Sequence, residues 1–214
     1  IRESTPEGGG DLVPQLSKVA AVVVLVVAVV ALAILLLPPE VLAATALLDA
    51  PGASVSAEVG TGDGETVFGG TSGAGPMVSG AAALLLQTFP NRTPIQIKAM
   101  LMNSAETSVF TNPALAPGEL APITRIGAGE LRVDRAIGLK AIAWNPESES
   151  AALSFGQVDV PFDGVVLVRK VRVENLTSSR RNYRVARSFR YADDQASGAV
   201  TVFAPSSVSV NPRP

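Results

Sequence analysis

Ser72 sits in the stretch Gly69-Gly70-Thr71-Ser72-Gly73-Ala74-Gly75-Pro76-Met77-Val78-Ser79-Gly80, among residues small enough to expose a hydroxyl. An apolar segment, Ala81-Ala82-Ala83-Leu84-Leu85-Leu86, follows directly. This combination is how a nucleophile is presented. Glycines let a substrate backbone approach closely, and a helix start turns unpaired N–H groups and positive dipole towards a developing oxyanion. Two other readings fit a Gly-rich turn before a helix: plain packing, and a phosphate cradle. The stretch lacks the Gly-Lys-Ser/Thr ending of a P-loop and the spacing of a dinucleotide fingerprint.

A serine needs a base, and here the composition is restrictive. The 214 residues contain no His and no Cys. That removes an imidazole base, a His-ligated metal, a thiolate site, a cysteine nucleophile and any disulfide. Lys98, the nearest lysine in sequence, is expected on the polar face of the helix that follows, away from Ser72. Asp63 and Glu65 flank Gly64 and could pair as acid and base or bind Ca²⁺, but a solvated turn is the better reading. Asp193-Asp194 also reads as a turn. No cofactor is expected.

With 47% hydrophobic and 17% charged residues, the chain is long enough for a buried core and for one or two domains. Its net charge of −2 argues against a dedicated nucleic-acid binder. Eight basic residues do lie between Arg169 and Arg190, interleaved with Tyr183 and Phe189 and followed by Tyr191. They read as the solvated face of a sheet rather than an anionic-polymer surface. Asn91-Arg92-Thr93 and Asn175-Leu176-Thr177 match the glycosylation sequon, a frequent chance match. The first residue, Ile1, is not Met, and implies a processed product or an internal piece.

The elements that must position Ser72 follow from patterning. Residues 1–18 read as a flexible leader. Val19 to Leu37 holds 19 residues without a charge, Gly or Pro. As a helix they would span about 28 Å, close to the hydrocarbon thickness of a bilayer. Fourteen are Val, Leu or Ile, worth roughly −4 to −8 kcal/mol towards insertion. The run reads as a membrane span with the C-terminal part outside, or as buried Val-rich core. Residues 42–145 read as one globular domain, with a helical signal between Thr71 and Ala143. A helix is expected from Pro76 to Gln87, with Pro76 in its first turn and every face apolar. A second opens on the capping box Thr93-Pro94-Ile95-Gln96 and carries Ile97, Leu101 and Ala105 on one stripe. A third covers Val133 to Leu139. Residues 146–214 alternate as strands, with candidates Ala152–Val160, Val165–Val173, Asn182–Tyr191, Ala199–Phe203 and Val208–Val210, and are expected to form an all-β sandwich.

Four ordered segments carry a family likeness. Gly70-Thr71-Ser72-Gly73-Ala74-Gly75-Pro76, with Gly80 four residues on, resembles the serine motif of the subtilisin-like serine peptidases. Asp49-Ala50-Pro51-Gly52 is similar to the segment that precedes that motif. Thr93 to Leu101, closing on Ala105, and Gly127-Ala128-Gly129 before the last helix resemble the regions that follow it. Gly75 stands where Ala is usual, and Met77 where His is frequent.

The resemblance covers about residues 49–143. It implies a partial α/β, three-layer subtilisin-like fold, followed by a sandwich like the fibronectin-III-type modules appended to some members. It also implies Ser72 as nucleophile with its N–H on the oxyanion, supported by Gly70, Thr71, Ala74, Pro76 and Gly80. The family's Asp and His motifs and its oxyanion asparagine lie in an N-terminal part that has no counterpart here. An isolated chain is therefore expected to be inactive. In a full-length parent the resemblance implies a polypeptide substrate, an extracellular or envelope location and, at most, structural Ca²⁺. The competing expectation is a membrane-anchored, non-catalytic ectodomain that binds partners through its sandwich.

Overall fold

The computed structural model describes residues 48–212. The leader and the apolar run Val19 to Leu37 lie outside the described residues. Among the described residues, no helix is long and apolar enough to cross a membrane.

Thr93 and Pro94 fix the start of the most buried element. The Thr93 N–H donates to Gln96 Oε1 at 2.9 Å, and Pro94 occupies the first helical position, where no N–H is needed. The helix α2 (Pro94–Ser104), the expected second helix, is buried from Gln96 to Met102. Lys98 is among those buried residues, which corrects its placement on an exposed polar face: packing covers α2 on all sides from Gln96 to Met102.

Against α2 packs α1 (Thr71–Thr88). This helix begins five residues before the expected start. Gly70 caps it with φ 124°, a conformation that L side chains rarely adopt. Pro76 therefore lies inside the helix rather than in its first turn. Lacking an N–H, Pro76 cannot bond the carbonyl four residues earlier, that of Ser72. The expectation that α1 is covered on every face is corrected as well. Val78, Ala81, Ala82 and Leu85 are buried, while Met77 and Leu84 are about half exposed.

Before α1 the chain forms a hairpin, β1 (Ala53–Ala57) with β2 (Glu65–Gly69), paired antiparallel from Ala53↔Gly69 to Ala57↔Glu65. Thr61 shapes its end, donating to the Glu58 carbonyl and accepting from the Gly64 N–H. Beyond α2, the loop to residue 122 holds a short 3₁₀ turn (Pro113–Leu115). Two short helices follow, α3 (Ile123–Ile126) and α4 (Val133–Gly138), the latter where the third helix is expected.

The C-terminal part departs most from the expectation. β3 (Ala141–Trp144) pairs antiparallel with β4 (Arg172–Asn175), so a strand that directly follows α4 is shared with the tail. β5 (Arg181–Arg184) pairs with β6 (Ser207–Val210), and α5 (Ala192–Ser197) lies between them in sequence. Asn175 stitches the two sheets. Fully buried, it donates to the carbonyls of Ser179 (2.8 Å) and Val210 (3.1 Å), and its Oδ1 accepts from Thr177 and Tyr183.

Among the described residues, the architecture is three two-stranded antiparallel sheets and five helices, compatible with part of an α/β fold; the expected all-β sandwich is not seen among them. No strand forms over Ala152–Val160 or Ala199–Phe203, and Asn182–Tyr191 is a strand only to Arg184. Asp193 and Asp194, expected in a turn, occupy the first turn of α5, where carboxylates oppose the helix dipole. The core joins α1, α2 and Ala136 of α4 to Ile142 and Trp144 of β3.

Candidate active site

The turn that carries Ser72 is built by backbone contacts. The Gly70 N–H donates to the Gly52 carbonyl at 2.8 Å, at the open end of the β1–β2 hairpin. The approach is close: a Cβ on Gly52 would meet the Gly70 oxygen at 2.9 Å. The Gly70 carbonyl in turn accepts from the Gly73 N–H at 2.9 Å. Ser72 is the second residue of α1. Its N–H is thus among the donors that a helix start leaves without an intrahelical partner, at the positive end of the dipole. Such a position can hold an anion or a developing oxyanion.

Two segments far apart in sequence are joined here. Ala50-Pro51-Gly52 and Gly69-Gly70-Thr71-Ser72 meet because the hairpin between them returns the chain to its origin. The hairpin was missed in the sequence. Its signal was Thr61-Gly62-Asp63-Gly64 between two short runs that each carry a central Val.

The remaining two segments lock together on the other side of Asp49. The Asp49 N–H donates to the Gly129 carbonyl (2.9 Å), and the Asp49 carbonyl accepts from Leu131 (2.8 Å). Glu130 exchanges two backbone bonds with Glu106, each 2.8 Å, just past the end of α2. Gly129, at φ 123°, leaves no room for a side chain against the Glu106 carbonyl. The Glu106 carboxylate accepts from the Ser108 N–H and from Arg135, each at 2.8 Å. The Ser108 bond first, and Arg135 second, hold its carboxyl well below the usual carboxylate range, at about 2.

Other candidates are structural. Asp63 lies exposed at the hairpin end, and Glu65 begins β2. Among the described residues, no group of three or more His, Cys, Asp or Glu is placed to hold a metal ion. Of the basic residues from 169 to 190, Arg190 turns inward instead of facing solvent. Its guanidinium donates to the carbonyls of Ala121, Thr107 and Val109 at 2.8, 2.8 and 3.3 Å. Sequence periodicity cannot show that role, because the partners are main-chain atoms about 70 to 80 residues away.

The class so defined is a chain in which Ser72 is the second residue of a glycine-capped helix, tied by backbone bonds to the segment before the hairpin. Comparison with known proteins finds a family likeness for part of it. Residues 42–138 match the model of the subtilase family, peptidase S8. Over 163 residues, 74% of the chain, it is 28% identical to the minor extracellular protease Vpr of Bacillus subtilis (strain 168). Over 73 residues, 34% of the chain, it is 38% identical to the subtilisin-like protease SBT1.2 of Arabidopsis thaliana. These matches support a subtilisin-like peptidase family for the segment that holds Ser72. The chain spans 19% and 9% of the lengths of those two relatives.

Proposed function

We propose that this chain supplies the serine-bearing part of an extracellular subtilisin-like endopeptidase, with Ser72 as nucleophile and its backbone N–H as one oxyanion donor. The observation that carries the reading is the Gly52–Gly70 bond, which sets the Ser72 turn at a helix start inside the segment that matches the family. Attack by the Ser72 oxygen on a peptide carbonyl forms the C–O bond and releases the hydroxyl proton to a base. As the C–N bond breaks, the base gives that proton to the departing amine, and water then hydrolyses the acyl ester, releasing the carboxylate and restoring the Ser72 hydroxyl. With no His in the 214 residues, the base must come from elsewhere in the polypeptide, and the chain by itself is inactive. Its substrate is polypeptide.

The same absence favours a second reading, a non-catalytic degenerate peptidase half that binds partners. Labelling with a fluorophosphonate separates the two. Covalent labelling of the full-length polypeptide, abolished by Ser72→Ala and absent from the isolated chain, is the expected result. No labelling of a full-length protein that carries Asp and His motifs overturns the peptidase reading.

A further inference from the structure

We propose that the open cavity between the start of α2 and the β4–β5 connection is a second binding site, for an acidic polypeptide segment with an apolar side chain. The cavity measures about 400 Å³, within the range of ligand sites. Its lining is mixed: Phe89, Ile137, Leu139 and Leu176 supply the apolar part, Thr177 and Ser178 a polar part, and Arg92, Lys140 and Arg181 are its charged residues; no carboxylate lines it. Arg92 is offset, since it pairs with Glu174 at 3.5 Å and stacks over the Phe89 ring at 5.9 Å. Lys140 and Arg181 are exposed, and no ion pair holds either among the described residues. Two cations without an ion pair thus stand beside a partly apolar surface.

The scaffold under them is fixed. The Lys140 carbonyl accepts from the Leu176 N–H at 2.9 Å and from the Tyr183 hydroxyl at 3.3 Å. Such preorganisation lowers the cost of ordering on binding. Charge complementarity selects carboxylates, and the apolar lining selects a side chain between them. The cavity is half open to solvent, which suits an extended chain passing over it. That the occupant is polypeptide rests on the peptidase reading; the cations and the apolar lining do not. The site would hold a substrate away from Ser72, acting on affinity rather than on bond cleavage.

The test is fluorescence anisotropy on the full-length polypeptide, using a fluorescein-labelled heptapeptide of Glu with a central Leu. Its control carries Gln at every Glu. The acidic peptide is expected to bind at least about tenfold tighter than the control, and progressively less tightly as salt rises. Lys140→Glu with Arg181→Glu is expected to remove that advantage, and the milder pair Lys140→Gln with Arg181→Gln most of it. Ile137→Ser, at a half-exposed position on the cavity wall, weakens both peptides. Equal binding of the two peptides, or acidic binding unchanged in the charge-reversed variant, overturns the proposal. Fluorophosphonate labelling of the same preparations keeps the two readings apart. Lost binding with intact labelling sinks only the second site, and retained binding without labelling sinks only the peptidase.

Discussion

The Gly52 carbonyl accepts the Gly70 N–H at 2.8 Å, and through that one bond the segment before the hairpin holds the turn that carries Ser72. Gly70 can make it only at φ 124°. Gly70→Ala therefore forces a side chain into a strained conformation, at a cost of about 1–3 kcal/mol. Gly75→Ala is the control: it lies inside α1 with open space where a Cβ would go. Removing a helical glycine there is expected to stabilise by up to about 1 kcal/mol. Denaturant midpoints of the two variants, moving in opposite directions, check both statements.

Glu106 predicts a pH dependence. Its carboxyl is held at about 2, against an ordinary value of 4.5, first by the Ser108 N–H and then by Arg135. A group depressed on folding stabilises the folded state above its unfolded value and loses that contribution as pH falls through the folded value. The stabilisation should be fully present above about pH 5 and fade between 4.5 and 2. Glu106→Gln should therefore be less stable than the natural sequence at neutral pH, with the gap closing towards pH 2. Chemical denaturation across that range measures it, and a gap that stays constant removes the carboxylate from the account.

The sequence made some of this legible because certain signals are purely local. The capping box at Thr93 and the short helix at Val133 depend on neighbours three or four residues away, and both stand as expected. The serine turn is legible because the φ of Gly70 and the close approach of Gly52 to it both require glycine. The tail was not. Alternation across Val165 to Val173 states which residues share a face, but a strand needs a partner backbone, and residues 165–171 have none among the described residues. Only Arg172 to Asn175 pairs, and its partner is β3, a strand within the end of the stretch whose pattern reads as helical. Lys98 and Arg190 were misread for a related reason: their surroundings come from elements distant in sequence.

Arg190 anchors the loop after α2 to the tail. Three carbonyls, from Thr107, Val109 and Ala121, take hydrogen bonds from its planar fork. Arg190→Ala leaves them without that donor and is expected to cost roughly 2–3 kcal/mol. Arg190→Lys should recover little, because one ammonium cannot reach three divergent acceptors. Amide exchange is the direct measurement. Faster exchange at Thr111 and Ala121, whose N–H groups bond across this loop, should appear in both variants while Ile97 to Leu101 stays protected.

Asn175 gives the sharpest test of the C-terminal architecture. Its Nδ2 group donates to Ser179 and Val210, and its Oδ1 accepts from Thr177 and Tyr183, with the side chain fully buried. Both amide hydrogens are committed, so this sequon should carry no glycan even in a glycosylating host, whereas Asn91 is exposed. Asn175→Asp keeps the shape and removes both donors. A carboxylate oxygen then faces two carbonyl oxygens in a buried site, at a cost of about 2–4 kcal/mol at neutral pH. That repulsion raises the folded-state pKa of the introduced acid above its unfolded value near 3.9. The folded state then binds the proton more tightly, so the variant should regain stability as pH falls from 7 towards about 4. Asn175→Ala, with no titrating group, should show no such recovery. Denaturant midpoints of both variants at the two pH values decide the matter: parallel behaviour would mean that the amide does not hold the two sheets together as described.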